Sequence, residues 1–211
     1  MRSFIFCLFL LFMVVLKSQA QNLGSMTDPR DGQVYDIVTY TFTGINEGLV
    51  DTDEYNTYVR KNTSVYELKI PPVMSLTMTW MAQNLNFESD DSKCYNASDP
   101  DCKTYGRGYT WHKAKQACPE GWRLPNDDDW FLLAHLYGGV SNAGQHLKSS
   151  AFNGTGKSNF NVSKSSIYWS SSELDADNAF DWKLNYRWTK LQRWKGGKAA
   201  YNLVRCVKCK E

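Results

Sequence analysis

The chain has 211 residues, with 24 Lys and Arg against 22 Asp and Glu, a formal charge of +2 and 14% aromatic residues. Arg2 and Lys17 both precede residue 21, so the rest of the chain balances its acids and bases, which excludes the concentrated basic surface that a nucleic acid requires. The length suits one domain with an elaboration, and all eight tryptophans fall between Trp80 and Trp194, in a core or on a binding surface.

The N-terminus reads as a signal peptide over residues 1–20. Arg2 gives a positive start, Phe4 to Leu16 a short apolar run, and Ser18-Gln19-Ala20 a small-x-small cleavage site. The run is too short for a comfortable membrane span, so no anchor is expected once the signal is removed. Residues 21–32 are polar and read as a flexible lead-in. Gln33 to Val38 reads as a strand with Val34, Asp36 and Val38 on one face and Tyr35 and Ile37 on the other. Between Thr39 and Met78, Tyr40, Phe42 and Ile45 fall in strand order, as do Ser64 to Ile70 and Ser75 to Met81. Pro71-Pro72 separates the last two, which predicts an extra hairpin or a flap over one sheet edge. Cys94 and Cys102 flank a short polar loop and can close on each other.

Thr110 to Ala117 reads as a first helix, with Trp111, Ala114 and Cys118 on its inner face. A Pro/Gly turn follows, then a second helix. Asn126 stands at its N-cap and Asp129 three residues on, a weaker relative of the capping box. The acids Asp127 to Asp129 suit the positive end of the helix dipole. Trp130, Leu133, Ala134 and Tyr137 form its stripe, and Gly138-Gly139 stops it. Gly138 to Lys157 reads as a polar connection with Leu147 as its inward anchor. From Asp181 onward Trp182, Leu184, Tyr186 and Trp188 alternate with Lys183, Asn185 and Arg187. A turn near Lys195-Gly-Gly-Lys198 leads to a closing strand over Tyr201 to Val207.

Cys118-Pro-Glu-Gly-Trp-Arg-Leu-Pro-Asn-Asp-Asp-Asp-Trp130 resembles the core signature of the Fibrobacter succinogenes major paralogous domain, found in secreted bacterial proteins. Six further strings agree in order: Asp28 to Tyr35, Thr79 to Asn86, Lys93 to Asn96, Tyr105 to Trp111, Tyr168 to Glu173 and Val204 to Lys208. The resemblance implies an α+β, C-type lectin-like fold: two helices packed on a small twisted, mostly antiparallel sheet, with the β-rich flap at 39–78 as an insert. It implies a single domain over 33–209 and a Cys118–Cys206 disulfide from the first helix to the last strand. It also implies that the segment before Tyr168 is shortened here to Asn159-Phe-Asn-Val162. The chain-entropy relation gives about 2.6 kcal/mol for closing the Cys94–Cys102 loop and about 4.6 kcal/mol for the longer one. Cys209 is left over, as a free thiol, a swapped partner or half of an intermolecular bridge.

No catalytic constellation is read. His112, His135 and His146 sit beside no Ser or Cys in a recognisable motif, and Ser170-Ser171-Ser172-Glu173 belongs to a strand string. A cysteine-dependent enzyme related to formylglycine-generating enzymes is the enzyme alternative, with Cys206 and Cys209 its tempting pair. Glu173, Asp175, Asp177, Asn178 and Asp181 make an oxygen-rich stretch of the kind calcium prefers, set against the reading of a solvated acidic loop. No metal and no cofactor is assigned. The candidate ligand-binding residues are Trp182, Tyr186, Arg187, Trp188, Arg193 and Trp194, whose flat faces and cations suit sugar rings. The expected function is non-catalytic binding, secreted, periplasmic or at the cell surface, with a polysaccharide or other envelope component as partner. The alternative is a protein–protein module built on the 39–78 insert.

Overall fold

The computed structural model describes residues 22–45, 73–148 and 165–210. The signal peptide, the expected strand at Ser64 to Ile70 and the Asn159 to Val162 segment lie outside those residues. The fold is α+β, with three helices and two mostly antiparallel sheets rather than the expected two helices and one sheet. Among the described residues no helix is long and apolar enough to cross a membrane.

The first sheet has the order β1-β2-β3-β10, built from Asn22–Thr27, Val34–Ile45, Val73–Met81 and Val207–Lys210. The expected flexible lead-in is therefore corrected. Residues 22–27 pair along their length with Val34 to Thr39, and the buried Asp28 turns the chain back by holding the Arg30 guanidinium at 2.6 Å. The 39–78 insert lengthens β2 and β3 into an antiparallel hairpin, pairing Ile45 with Val73. Residues 46–72, its outer part, are not described.

Tyr35 and Val38 stand on opposite faces of β2, as the alternation predicts, and are buried in different cores, while Val34 at the start of the strand is exposed. The Asp36 N–H donates to Gln83 Oε1 at 2.8 Å, and its carbonyl accepts from the Ala82 N–H at 2.7 Å. The regular ladder with β3 begins only at Ile37, opposite Met81.

The second sheet has the order β4-β5-β9-β6-β7-β8, from Ser92–Cys94, Arg107–Tyr109, Asn202–Leu203, Ser165–Glu173, Asn178–Asn185 and Leu191–Gly197. Only β6 and β9 run parallel within it. Helix α1 (Trp111–Ala117) shares one core with Trp169, while α2 (Asp127–Leu136) and α3 (Val140–Lys148) share the other with Tyr168. Neighbouring residues on a strand point to opposite faces, so both faces of this sheet are buried. Ala179, Phe180, Asp181 and Trp182 are accordingly all buried in succession. Trp130 joins the layers, with its ring 5.0 Å from Trp80 in the first sheet and 5.6 Å from Tyr168 in the second.

Helix α2 has the capping box that its sequence predicts. Asn126 accepts from the Asp129 N–H at 2.9 Å and Asp129 accepts from the Asn126 N–H at 2.7 Å. The connection expected after Gly138 is instead a helix. Gly138 and Gly139 take positive φ to end α2, and Val140, Ala143, Gly144 and Leu147 then form a buried i, i+3, i+4, i+7 stripe. Gly144 is required there, because a Cβ would lie 2.2 Å from the Lys190 carbonyl oxygen. The expected closing strand is two strands in two sheets, and Val204, Arg205 and Cys206 cross between them, fully buried. Both expected disulfides are present: Cys94–Cys102, with Cα atoms 4.9 Å apart, and Cys118–Cys206, at 5.8 Å.

Candidate functional site

The six candidate residues divide between the strands of the β7–β8 hairpin and the turn that joins them. Trp182 and Arg193 are an opposed pair within the strands, 0% and 1% exposed. As ligand-contacting residues they are corrected, because both serve the core. Asp127, at the start of α2, accepts from Trp182 Nε1 at 2.9 Å and from Arg193 Nε at 2.6 Å. The Arg193 guanidinium also lies 3.4 Å over the Phe180 ring. A charge pair this deep needs good geometry and further hydrogen bonds to hold, and both are present.

β7 ends at Asn185, so Tyr186, Arg187 and Trp188 belong to the turn and not to the alternating strand predicted for them. Tyr186 is 48% exposed and Trp188 42%. Trp194 is 56% exposed and stands on β8 opposite Asp181, three residue pairs (about 10 Å of strand) from the turn. The Arg187 Nε donates to the Tyr186 hydroxyl, with the guanidinium 5.1 Å from that ring. The turn is held from below. Lys148, the last residue of α3, donates to the carbonyls of Asn185, Tyr186 and Trp188, and the Gln145 N–H donates to the Thr189 carbonyl at 3.0 Å. Burial lowers the Lys148 pKa from its ordinary value. Exposed aromatics on a fixed turn lose little freedom when a planar ligand stacks on them.

On the opposite face of β7, Asp181 is buried with Trp169, Gly196 and Asn202 around it. Its Oδ2 accepts from Asn202 Nδ2 at 3.3 Å, and its Oδ1 has no hydrogen-bond partner. Gly196 leaves room for it, since a Cβ there would lie 2.5 Å from Oδ2. Burial pushes this carboxyl up to about 7. Asp181 is thus no part of an oxygen cluster in the loop between β6 and β7.

That loop is organised by a cation of its own. The Lys198 ammonium donates to Glu173 and to the carbonyls of Asp175 and Ala176 at 2.7 and 2.8 Å. Asp175 accepts from the Asn178 side chain at 2.9 Å and from the N–H groups of Asp177 and Asn178. Glu173, Asp175 and Asp177 are exposed, so the acidic loop is solvated as its sequence suggests, and Lys198 stands at its centre.

Sequence reasoning missed a second concavity. A cleft of about 290 Å³ lies between the start of β2, the segment after β3 and residues 103–106, which join Cys102 to β5. Gln33, Gln83, Asn84, Asn86, Lys103 and Tyr105 are among its walls. Its back is fixed by Asn84, whose Oδ1 accepts twice from the buried Arg205 guanidinium, at 2.6 and 3.2 Å. The Asn84 Nδ2 donates to the Tyr105 carbonyl at 2.9 Å. Gly106 adopts φ +75° and lets the loop press close, for a Cβ would lie 2.8 Å from Asn84 Cβ. The strings Asp28 to Tyr35, Thr79 to Asn86 and Tyr105 to Trp111 were legible as family marks, but nothing local says that they meet.

Cys209 lies in β10 opposite Met78, and its side chain is outside the described residues. A model of the Fibrobacter succinogenes major domain matches residues 73–208. No curated protein and no solved structure matches the chain.

Proposed function

Since the chain belongs to the Fibrobacter succinogenes major domain family, a membership that assigns no activity, we propose that it is a non-catalytic binding protein whose β7–β8 turn engages a glycan. The observation that carries this reading is the exposure of Tyr186 and Trp188 beside Arg187, on a turn fixed by Lys148, with Trp194 also exposed on the adjoining strand β8. Aromatic faces with a neighbouring cation offer C–H stacking and hydrogen bonds to sugar hydroxyls. The layout supports reading the scaffold as C-type lectin-like: helices against a twisted sheet, with Cys118 after α1 tied to Cys206 before the last strand. Fold analogy alone does not assign a ligand. The N-terminal apolar run and two disulfides accord with an exported protein acting in the periplasm or outside the cell.

The test is a pull-down on insoluble polysaccharides together with a glycan array, repeated with Trp188→Ala and Trp194→Ala. Binding that falls at least tenfold in either variant supports the reading. Absence of binding to every glycan, or binding indifferent to both changes, removes it.

A further inference from the structure

We propose that the amide-walled cleft between β2 and residues 103–106 is a separate binding site for one sugar residue, with a uronic acid preferred. The site does not depend on the hairpin turn. Its volume of about 290 Å³ stands at the small end of the range for small-molecule pockets, which admits a single ring and not a chain lying lengthwise.

The wall chemistry selects the ligand class. Asn86 Oδ1 is buried without a hydrogen-bond partner, and a buried acceptor left unpaired costs about 1–3 kcal/mol. The backbone groups of Asn86 are already engaged: its N–H donates to the Tyr35 hydroxyl at 3.0 Å, and its carbonyl accepts from Gln33 Nε2 at 3.1 Å. A ligand donor is what it lacks. Gln83 offers the complement. Its Oε1 is occupied by the Asp36 N–H, so the carboxamide N–H groups are what it has to give. A hydroxyl both donates and accepts, so a polyol satisfies an acceptor and a donor on neighbouring walls with one kind of group. Tyr105 adds an aromatic face for ring C–H groups.

Charge narrows the class further. Lys103 stands at the rim, and no carboxylate lines the cleft. Its contact with Asp101, at 3.5 Å between two largely exposed side chains, is a weak competitor. A ligand ammonium, as in an amino acid, finds a cation and no counter-charge; a ligand carboxylate finds Lys103. The walls are fixed before any ligand arrives, by Arg205 behind Asn84 and by the Asn84 Nδ2 hydrogen bond to the Tyr105 carbonyl, so binding need not order them.

The experiment is amide NMR of the full chain titrated with D-galacturonate, D-galactose and a galacturonate trisaccharide. Saturable shifts at Gln83, Asn86 and Tyr105 are expected, with galacturonate bound roughly tenfold more tightly than galactose. Thr104→Trp, at an exposed position over the cleft, should abolish them, and Lys103→Glu should bring galacturonate down to the level of galactose. The trisaccharide binding more tightly than the monosaccharide identifies the end of an acidic polysaccharide as the source, and equal binding identifies free sugar acid. Shifts confined to residues 186–194, no saturable shift with any sugar, or shifts that survive Thr104→Trp overturn the proposal. Trp188→Ala separates the two sites, because it should leave the cleft shifts unchanged even if glycan capture at the turn is lost.

Discussion

The strands and the turn of the β7–β8 hairpin use the same residue types to opposite ends. Within the strands, Trp182 and Arg193 close on Asp127 and are sealed in the core; at the turn, Trp188 and Arg187 stand in solvent. Composition and alternation are alike along the hairpin, so neither decides which tryptophan is free. The decision comes from a carboxylate 55 residues earlier in the chain, at the first turn of α2. An aromatic-basic stretch is therefore a candidate surface only where nothing distant claims it.

The contrast breaks most visibly within the strands. Asp127→Asn removes the counter-charge of a buried guanidinium and should cost about 3–5 kcal/mol, read as a shift in the urea midpoint at unchanged slope. A loss below about 1 kcal/mol would mean that Arg193 is not held there by its charge.

Asp181, on the other face of the same strand, gives the next largest effect, and it depends on pH. Its carboxyl is raised in the folded state to about 7 from an ordinary value of 3.8, by burial first. Below pH 3.8 the group is neutral whether the chain is folded or not, so it imposes no penalty. The penalty grows as pH rises above 3.8 and is complete above about 7. Asp181→Asn should thus be more stable than the natural chain at pH 8, by on the order of 2 kcal/mol, with the gap closing by pH 4. Thermal melts across that window check it, and a gap that widens toward acid would reverse the assignment.

The tip should respond more gently. Lys148→Met leaves three turn carbonyls without their shared donor, for a loss of about 1 kcal/mol, while raising amide exchange at 186–189. Hydrogen exchange unchanged in that turn would show that α3 packing alone fixes it. Trp188→Ala and Trp194→Ala should change stability by less than about 0.5 kcal/mol, as exposed positions do. Destabilisation above 2 kcal/mol by either would place that ring in the core and end its candidacy as a binding group.

What was legible in the chain was local. The Asn126–Asp129 capping box, the buried stripe of α1 and the Gly138-Gly139 stop depend on residues a few positions apart, and the structure has them. Of the three adjacent acids, though, only Asp129 caps the helix, where it also binds Arg123. Asp127 neutralises Arg193 from 66 positions away, which no periodicity encodes. Helix α3 was hidden for another reason: its Ser, Asn and Gly suit loops by propensity, and packing of Val140, Ala143 and Leu147 overrides them. The division of the closing strand between two sheets was invisible because Leu203 to Val207 are buried without a break across the crossing. The cleft was missed because its walls come from three separated strings, each of which reads as scaffold alone.

Lys198 also bears on how the loop after β6 responds to its surroundings. A calcium-organised loop depends on the concentration of a solute, and it empties when that solute is scarce. Here the cation is carried on the same polymer, so its effective concentration is set by chain geometry and dilution does not remove it. The segment from Glu173 to Asn178 is in this sense supplied with its counter-ion at synthesis, and its shape should be the same in a calcium-poor medium as in a calcium-rich one.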